Sequence, residues 1–187
     1  MKTNLFFLLL FALLSACGSK IQVKTGDNYE SVALPDGSQV YLNRHSQIIY
    51  EGQFSPRAVH LKGEAFFTVE HNDSPFTVIT DFGEIEVLGT EFNVKTTINQ
   101  VEVDVKKGLV ELRTDFNKSK IKKDAKAVYR HGERAIKELS SNKEYRKWIR
   151  SLEIEFKKLG KEVKPSLKKI SKGFKKVGKS LKKELKN

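Results

Sequence analysis

Residues 30–50 read ESVALPDGSQVYLNRHSQIIY, residues 59–70 VHLKGEAFFTVE, residues 75–95 PFTVITDFGEIEVLGTEFNVK and residues 101–112 VEVDVKKGLVEL. Short apolar–polar alternations recur along them: Val32/Leu34, Val40/Leu42, Ile48/Tyr50, Val59/Leu61, Phe67/Val69, Phe76/Val78, Ile85/Val87, Phe92/Val94, Val101/Val103/Val105 and Val110/Leu112. In a strand successive side chains point to opposite faces, so a period of two buries one face and wets the other. Gly, Pro, Asp or Asn breaks each run, at the cadence of an antiparallel all-β domain. The pattern predicts a mainly β fold over residues 29–138, a sandwich or short solenoid of short strands.

Local signals place the breaks. Pro35-Asp36-Gly37-Ser38 sits between two alternating runs; Pro presets φ for the first corner of a turn and Gly accepts the positive φ that follows, so a hairpin is predicted there. Gly63-Glu64 and Gly83-Glu84 each open a strand, and Gly89-Thr90 interrupts the long run from Ile85 to Val94, as a bulge or sharp bend does. Lys106-Lys107-Gly108 separates Val101–Val105 from Leu109–Leu112. Residues 115–124 are polar and Lys-rich and read as a loop, and Ala127-Val128-Tyr129 reads as a late strand.

These motifs, LPDGSQVYLNRHSQIIY, VHLKGEAFFTVEHNDSPFTV, VLGTEFNVK and VEVDVKKGLVEL, resemble in order and spacing the FecR-type periplasmic domain, over about residues 30–138. The resemblance covers Asp36, Gly37, Gly63, Glu64, Phe67, Phe76, Gly89, Thr90, Phe92 and Gly108. The residues themselves read as structural: Asp36 and Gly37 serve the turn, Gly63 and Gly89 permit backbone geometry, and Phe67 and Phe92 belong to the core. Glu64, between a glycine and an apolar strand, either braces turn N–H groups or faces a partner; the local brace needs no outside molecule and is favoured. The resemblance implies an anti-sigma regulator-like interaction role, with a TonB-dependent receptor or its regulator as the kind of partner. In that family a cytoplasmic anti-sigma segment and a transmembrane helix precede the domain; here another signal occupies their place, so direct control of a sigma factor is not expected.

That signal is the N-terminus. Lys2 precedes ten apolar residues, Leu5 to Leu14, then Ser15-Ala16-Cys17. At about 1.5 Å per residue the run covers roughly half of a ~30 Å hydrocarbon core, the size of a signal-peptide core and too short to span. Leu14-Ser15-Ala16-Cys17 resembles the bacterial lipobox, which implies a signal peptide over 1–16 and acylation of Cys17, the chain's single cysteine. Gly18, where an Asp would retain the protein, implies sorting to the outer membrane by resemblance to proteobacterial lipoproteins. Residues 17–28 read as the lipidated cysteine and a polar tether. The expected location is the periplasmic side of the envelope, held by more than one acyl chain.

Charge is concentrated at the other end. The net charge is +12, from 35 Lys/Arg and 23 Asp/Glu. Residues 141–187 hold 17 Lys/Arg and 5 Asp/Glu, so the other 140 residues hold 18 of each and sum to zero. The apolar positions run from Tyr145 through Ile149, Leu152 and Phe156 to Leu185 in eleven steps over 40 residues. That mean, near 3.6, is the α-helical period, so residues 139–187 read as a Lys-rich amphipathic helical tail. Gly160 and Pro165 predict a kink. Trp148, Phe156, Phe174 and Lys168, Lys169, Lys175 and Lys176 are its candidate contacts with a partner or an anionic membrane surface. Nucleic acid suits the charge but not an exported lipoprotein.

No catalytic or metal constellation emerges. His45, His60, His71 and His131 are scattered over different runs without metal-ligand spacing, and there is no nucleophile elbow or phosphate loop. The sequence therefore predicts a non-catalytic protein without cofactor or metal.

Overall fold

The computed structural model describes residues 19–158. The lipobox with Cys17, and the tail from residue 159 with the predicted kink, Phe174, Lys168, Lys169, Lys175 and Lys176, lie outside the described residues. The chain divides into two units, with the boundary after Lys143.

The first unit holds fourteen strands among the described residues: β1 (Lys20–Lys24), β2 (Glu30–Ala33), β3 (Gln39–Leu42), β4 (Gln47–Glu51), β5 (Ala58–Lys62), β6 (Glu64–Thr68), β7 (Phe76–Thr80), β8 (Gly83–Val87), β9 (Glu91–Thr96), β10 (Gln100–Lys107), β11 (Leu109–Arg113), β12 (Lys118–Lys122), β13 (Ala125–Arg130) and β14 (Lys137–Ser140). They form two seven-stranded sheets, ordered β1-β4-β5-β7-β8-β11-β12 and β14-β13-β10-β9-β6-β3-β2. All pairs are antiparallel except β5 with β7. The chain crosses between the sheets after every one or two strands, so successive hairpins close the two faces over one core.

That core is what the alternation predicts. Val40, Leu42, Ile48, Val59, Val78, Ile85, Val94, Val101, Val103, Val110 and Leu112 are fully buried, while their sequence neighbours mostly reach the surface. Five aromatic rings run through it as a chain. Tyr50 meets Phe54 edge-on at 5.8 Å, Phe54 meets Phe76 at 5.9 Å, Phe76 meets Phe67 at 6.1 Å, and Phe67 stacks on Phe92 at 5.1 Å. Phe76 belongs to one sheet and Phe67 and Phe92 to the other, so this chain joins the two layers.

The strand registers place Lys20 and Ser140, the first and last strand residues, at one end of the sandwich. The same end carries the turn between β2 and β3, the entry to β5, the loop between β6 and β7, and the glycine breaks at Gly89 and Gly108.

Three expectations need correction. The stretch 115–124 is not a loop: residues 118–122 form β12, which buries Ile121 as its one apolar contact and keeps lysines on the wet face. The stretch 17–28 is not wholly a tether, because β1 pairs along β4 over five residues, its Ile21/Val23 alternation masked by flanking lysines. β14, reading KELS with every residue exposed, has no buried face to betray it. The sheets therefore run from residue 20 to residue 140 rather than from 29 to 138.

The second unit begins as a helix over residues 145–158, with Glu144 O accepting from Lys147 N at 3.0 Å in its first turn. Tyr145, Ile149, Leu152 and Phe156 recur along it at helical spacing, as expected, and Trp148 lies one residue from that stripe.

Candidate functional site

The aromatic chain leads to a buried ion pair. The Arg57 guanidinium lies 5.8 Å over the Phe76 ring. Its Nε and Nη2 donate to Asp36 Oδ2 at 2.9 and 2.7 Å, Nη1 donates to the Ser74 carbonyl at 2.6 Å, and Nη2 donates to the Glu70 carbonyl at 2.9 Å. Asp36 also shapes its own turn, because Oδ1 accepts from Ser38 N at 2.9 Å and Oδ2 from the Ser38 hydroxyl at 2.8 Å. Glu70 N in turn donates to Ser38 Oγ at 3.1 Å. Gly37 takes φ of 87°, the left-handed value the turn requires. Both charged side chains are about nine-tenths buried. One arginine thus ties the β2–β3 turn, the entry to β5 and the β6–β7 loop together. Sequence reading found Asp36 but not Arg57, because the pair is separated by 21 residues with no periodic relation.

Beside this clasp two of the motif glycines, Gly89 and Gly108, interlock. A Cβ on Gly89 would lie 2.8 Å from His71 Cα, so the β8–β9 break admits no side chain. Gly108 has φ of 91°, and a Cβ there would stand only 3.0 Å from Thr90 Oγ1, which donates to the Leu109 carbonyl at 3.2 Å. A groove of about 300 Å³ opens here, lined by His71, Glu86, Leu88, Leu109, Glu111 and Lys120. Leu88 and Leu109 are each about half exposed. The hydrogen bond from Arg113 holds the Glu111 carboxyl below its ordinary range.

Glu64 lies at the opposite end of β6. Its two oxygens accept from Asn43 Nδ2 at 2.8 Å and from Asn93 Nδ2 at 2.9 Å, while its own N–H donates to Ser46 Oγ at 2.9 Å. It is a brace, built with the side-chain amides of Asn43 and Asn93. Gly63 beside it has φ of 89°, and a Cβ there would stand 2.6 Å from Ser46 Oγ and 2.8 Å from Ser46 Cα. We expect Gly63→Ala to cost about 2–3 kcal/mol, from the left-handed backbone and the forced displacement of Ser46 together. Thermal unfolding monitored by circular dichroism checks this, and an unchanged Tm would contradict it.

The four histidines sit on separate elements: His45 on Asp27 at 3.1 Å, His60 on β5, His71 against Gly89, and His131 edge-on to Phe82 at 6.1 Å. Glu84 and Glu86 share a face of β8 opposite Arg113 and Glu111 of β11. Phe67, Phe76 and Phe92 are wholly buried. Trp148 and Phe156 belong to the helical unit.

This geometry has known counterparts. The family model described as FecR protein matches residues 21–111. Two crystal structures of a candidate anti-sigma factor from Parabacteroides distasonis share the fold. One has a TM-score of 0.62 and 26% identity over 66% of this chain; the other has 0.61 and 28% over 65%. The chain spans about three fifths of their length, 61% and 60%. No curated protein matches it.

Proposed function

We propose that this chain, which carries a FecR-family domain over residues 21–111, is a non-catalytic regulatory module of the cell envelope that works by binding another protein. The observation that carries this reading is the family match together with its two anti-sigma-type structural neighbours. The motif geometry agrees with it: Asp36, Gly63, Glu64, Gly89, Thr90 and Gly108 are spent on turns, clasps and close backbone approaches rather than aimed at a common reactive point. The reading includes a lipid anchor at Cys17, a periplasm-facing position at the outer membrane, and a TonB-dependent receptor or its regulator as partner.

Two experiments test it. Crosslinking the full chain in cells and capturing it should recover one envelope protein above the level seen with an unrelated lipoprotein; recovery of none removes the partner reading. For the anchor, Cys17→Ser should abolish incorporation of radiolabelled palmitate and move the protein from the membrane to the soluble fraction. Labelling that survives the substitution overturns lipidation.

The asymmetry of charge supports a second reading for the tail. All of the net +12 falls in residues 141–187. A Lys-rich amphipathic helix suits an anionic membrane or lipopolysaccharide surface, at roughly 1 kcal/mol per lysine near the surface. Flotation with anionic vesicles should then require residues 141–187 and weaken with salt; flotation indifferent to both excludes this role.

A further inference from the structure

The two sheets end in four edge strands, β1, β12, β14 and β2. An edge strand presents unpaired N–H and C=O groups, and lysines on it oppose the docking of another strand. β1 carries Lys20 and Lys24, β12 carries Lys118, Lys120 and Lys122, and β14 carries Lys137. β2, reading ESVA, has no lysine, arginine or proline.

Its backbone polarity can be read from the hairpin. Leu34 N donates to Ser38 O at 2.8 Å, and the register continues Ala33↔Gln39, Val32↔Val40, Ser31↔Tyr41. Hydrogen-bonded and non-bonded pairs alternate along an antiparallel ladder, so Glu30 and Val32 bond to β3 and the N–H and C=O groups of Ser31 and Ala33 point away from it. Among the described residues the Ser31 N–H meets a local substitute, the carboxylate of Glu30 at 3.3 Å. On the outer face Ser31 and Ala33 are small and leave room beside Tyr41; on the inner face Val32 is a half-buried residue packed against the core.

We propose that β2 is the edge on which an extended segment of a partner protein adds as a further strand, a proposal that rests on the protein-binding reading above. The geometry selects the segment: it is extended, it sets an apolar side chain beside Val32 to continue the core, and it carries a lysine or arginine. That cation pairs with Glu30 once the carboxylate gives up Ser31 N–H to the incoming carbonyl. Main-chain bonds supply the attraction, and the flanking side chains supply the choice.

Amide hydrogen exchange of the full chain tests this, with a blocked nine-residue synthetic peptide alternating valine with threonine and arginine as probe. In the free protein the Ser31 and Ala33 amides should exchange freely; with the peptide they should slow at least about tenfold, with β1, β12 and β14 unaffected. Ala33→Pro removes an outward N–H without breaking a β2–β3 bond, and Ser31→Lys gives this edge the guard the others have; each should abolish the protection. Slow exchange in the free chain, protection spread equally over the other edges, or no protection would overturn the proposal. Dimerisation of the free chain that Ala33→Pro abolishes would also overturn it, by giving the edge to a second copy. If the peptide protects β2 while cell crosslinking recovers no envelope protein, the partner reading fails and the edge stands; the reverse outcome removes only the edge.

Discussion

Asp36→Ala is expected to lower the free energy of unfolding by about 3–5 kcal/mol, because it leaves Arg57 buried without its counter-charge. The expectation follows from geometry. Arg57 would keep the Ser74 and Glu70 carbonyls but lose both bonds to Asp36 Oδ2, and the β2–β3 turn would lose two acceptors at once. Asp36→Asn separates the two contributions, since an amide oxygen can still accept from Ser38 N while the charge is gone. Arg57→Met in the Asp36→Ala background should recover most of the loss, as replacing a buried pair by apolar groups often does. Urea unfolding with an unchanged m-value is the measurement. A loss below about 1 kcal/mol would place the pair among the weak, solvated ones.

Phe67→Ala should cost a comparable amount, about 3–5 kcal/mol, through lost burial and the cavity left behind. Phe67 is wholly buried, stacked on Phe92 at 5.1 Å and edge-on to Phe76 at 6.1 Å, so its removal opens the contact between the sheets. Phe67→Leu retains most of the volume and should cost under about 1.5 kcal/mol. If the two substitutions were equally mild, the two layers would be held by the aliphatic residues alone.

How much of this was legible in the sequence varied with the kind of force involved. Alternation is a local record of burial, so Val40/Leu42, Ile48/Tyr50 and Val101/Val103/Val105 announced their strands, and Pro35-Asp36-Gly37 announced its hairpin. β12 and β14 did not announce themselves, because an edge strand with a wet face keeps a single apolar residue, Ile121 in β12 and the exposed Leu139 in β14. The site was legible one residue at a time. Asp36, Glu64 and Gly89 each stood out, but Arg57, Asn43, Asn93 and His71, which meet them, did not. Those partners arrive by tertiary folding from other strands and loops, and no period in the chain relates them.

The shared end of Lys20 and Ser140 has a mechanical consequence. Tension applied between these two points loads β1 at its Lys20↔Glu51 pair and β14 at its Ser140↔Ala125 pair, each at the extremity of an outermost strand. Bonds loaded in this way give way in succession, as in a zipper, instead of resisting together in shear. β1 and β14 would peel first, while the layers joined through Phe67, Phe76 and Phe92 stayed shut. A domain pulled by its two ends would thus lengthen in small early steps at low force before its interior gave way.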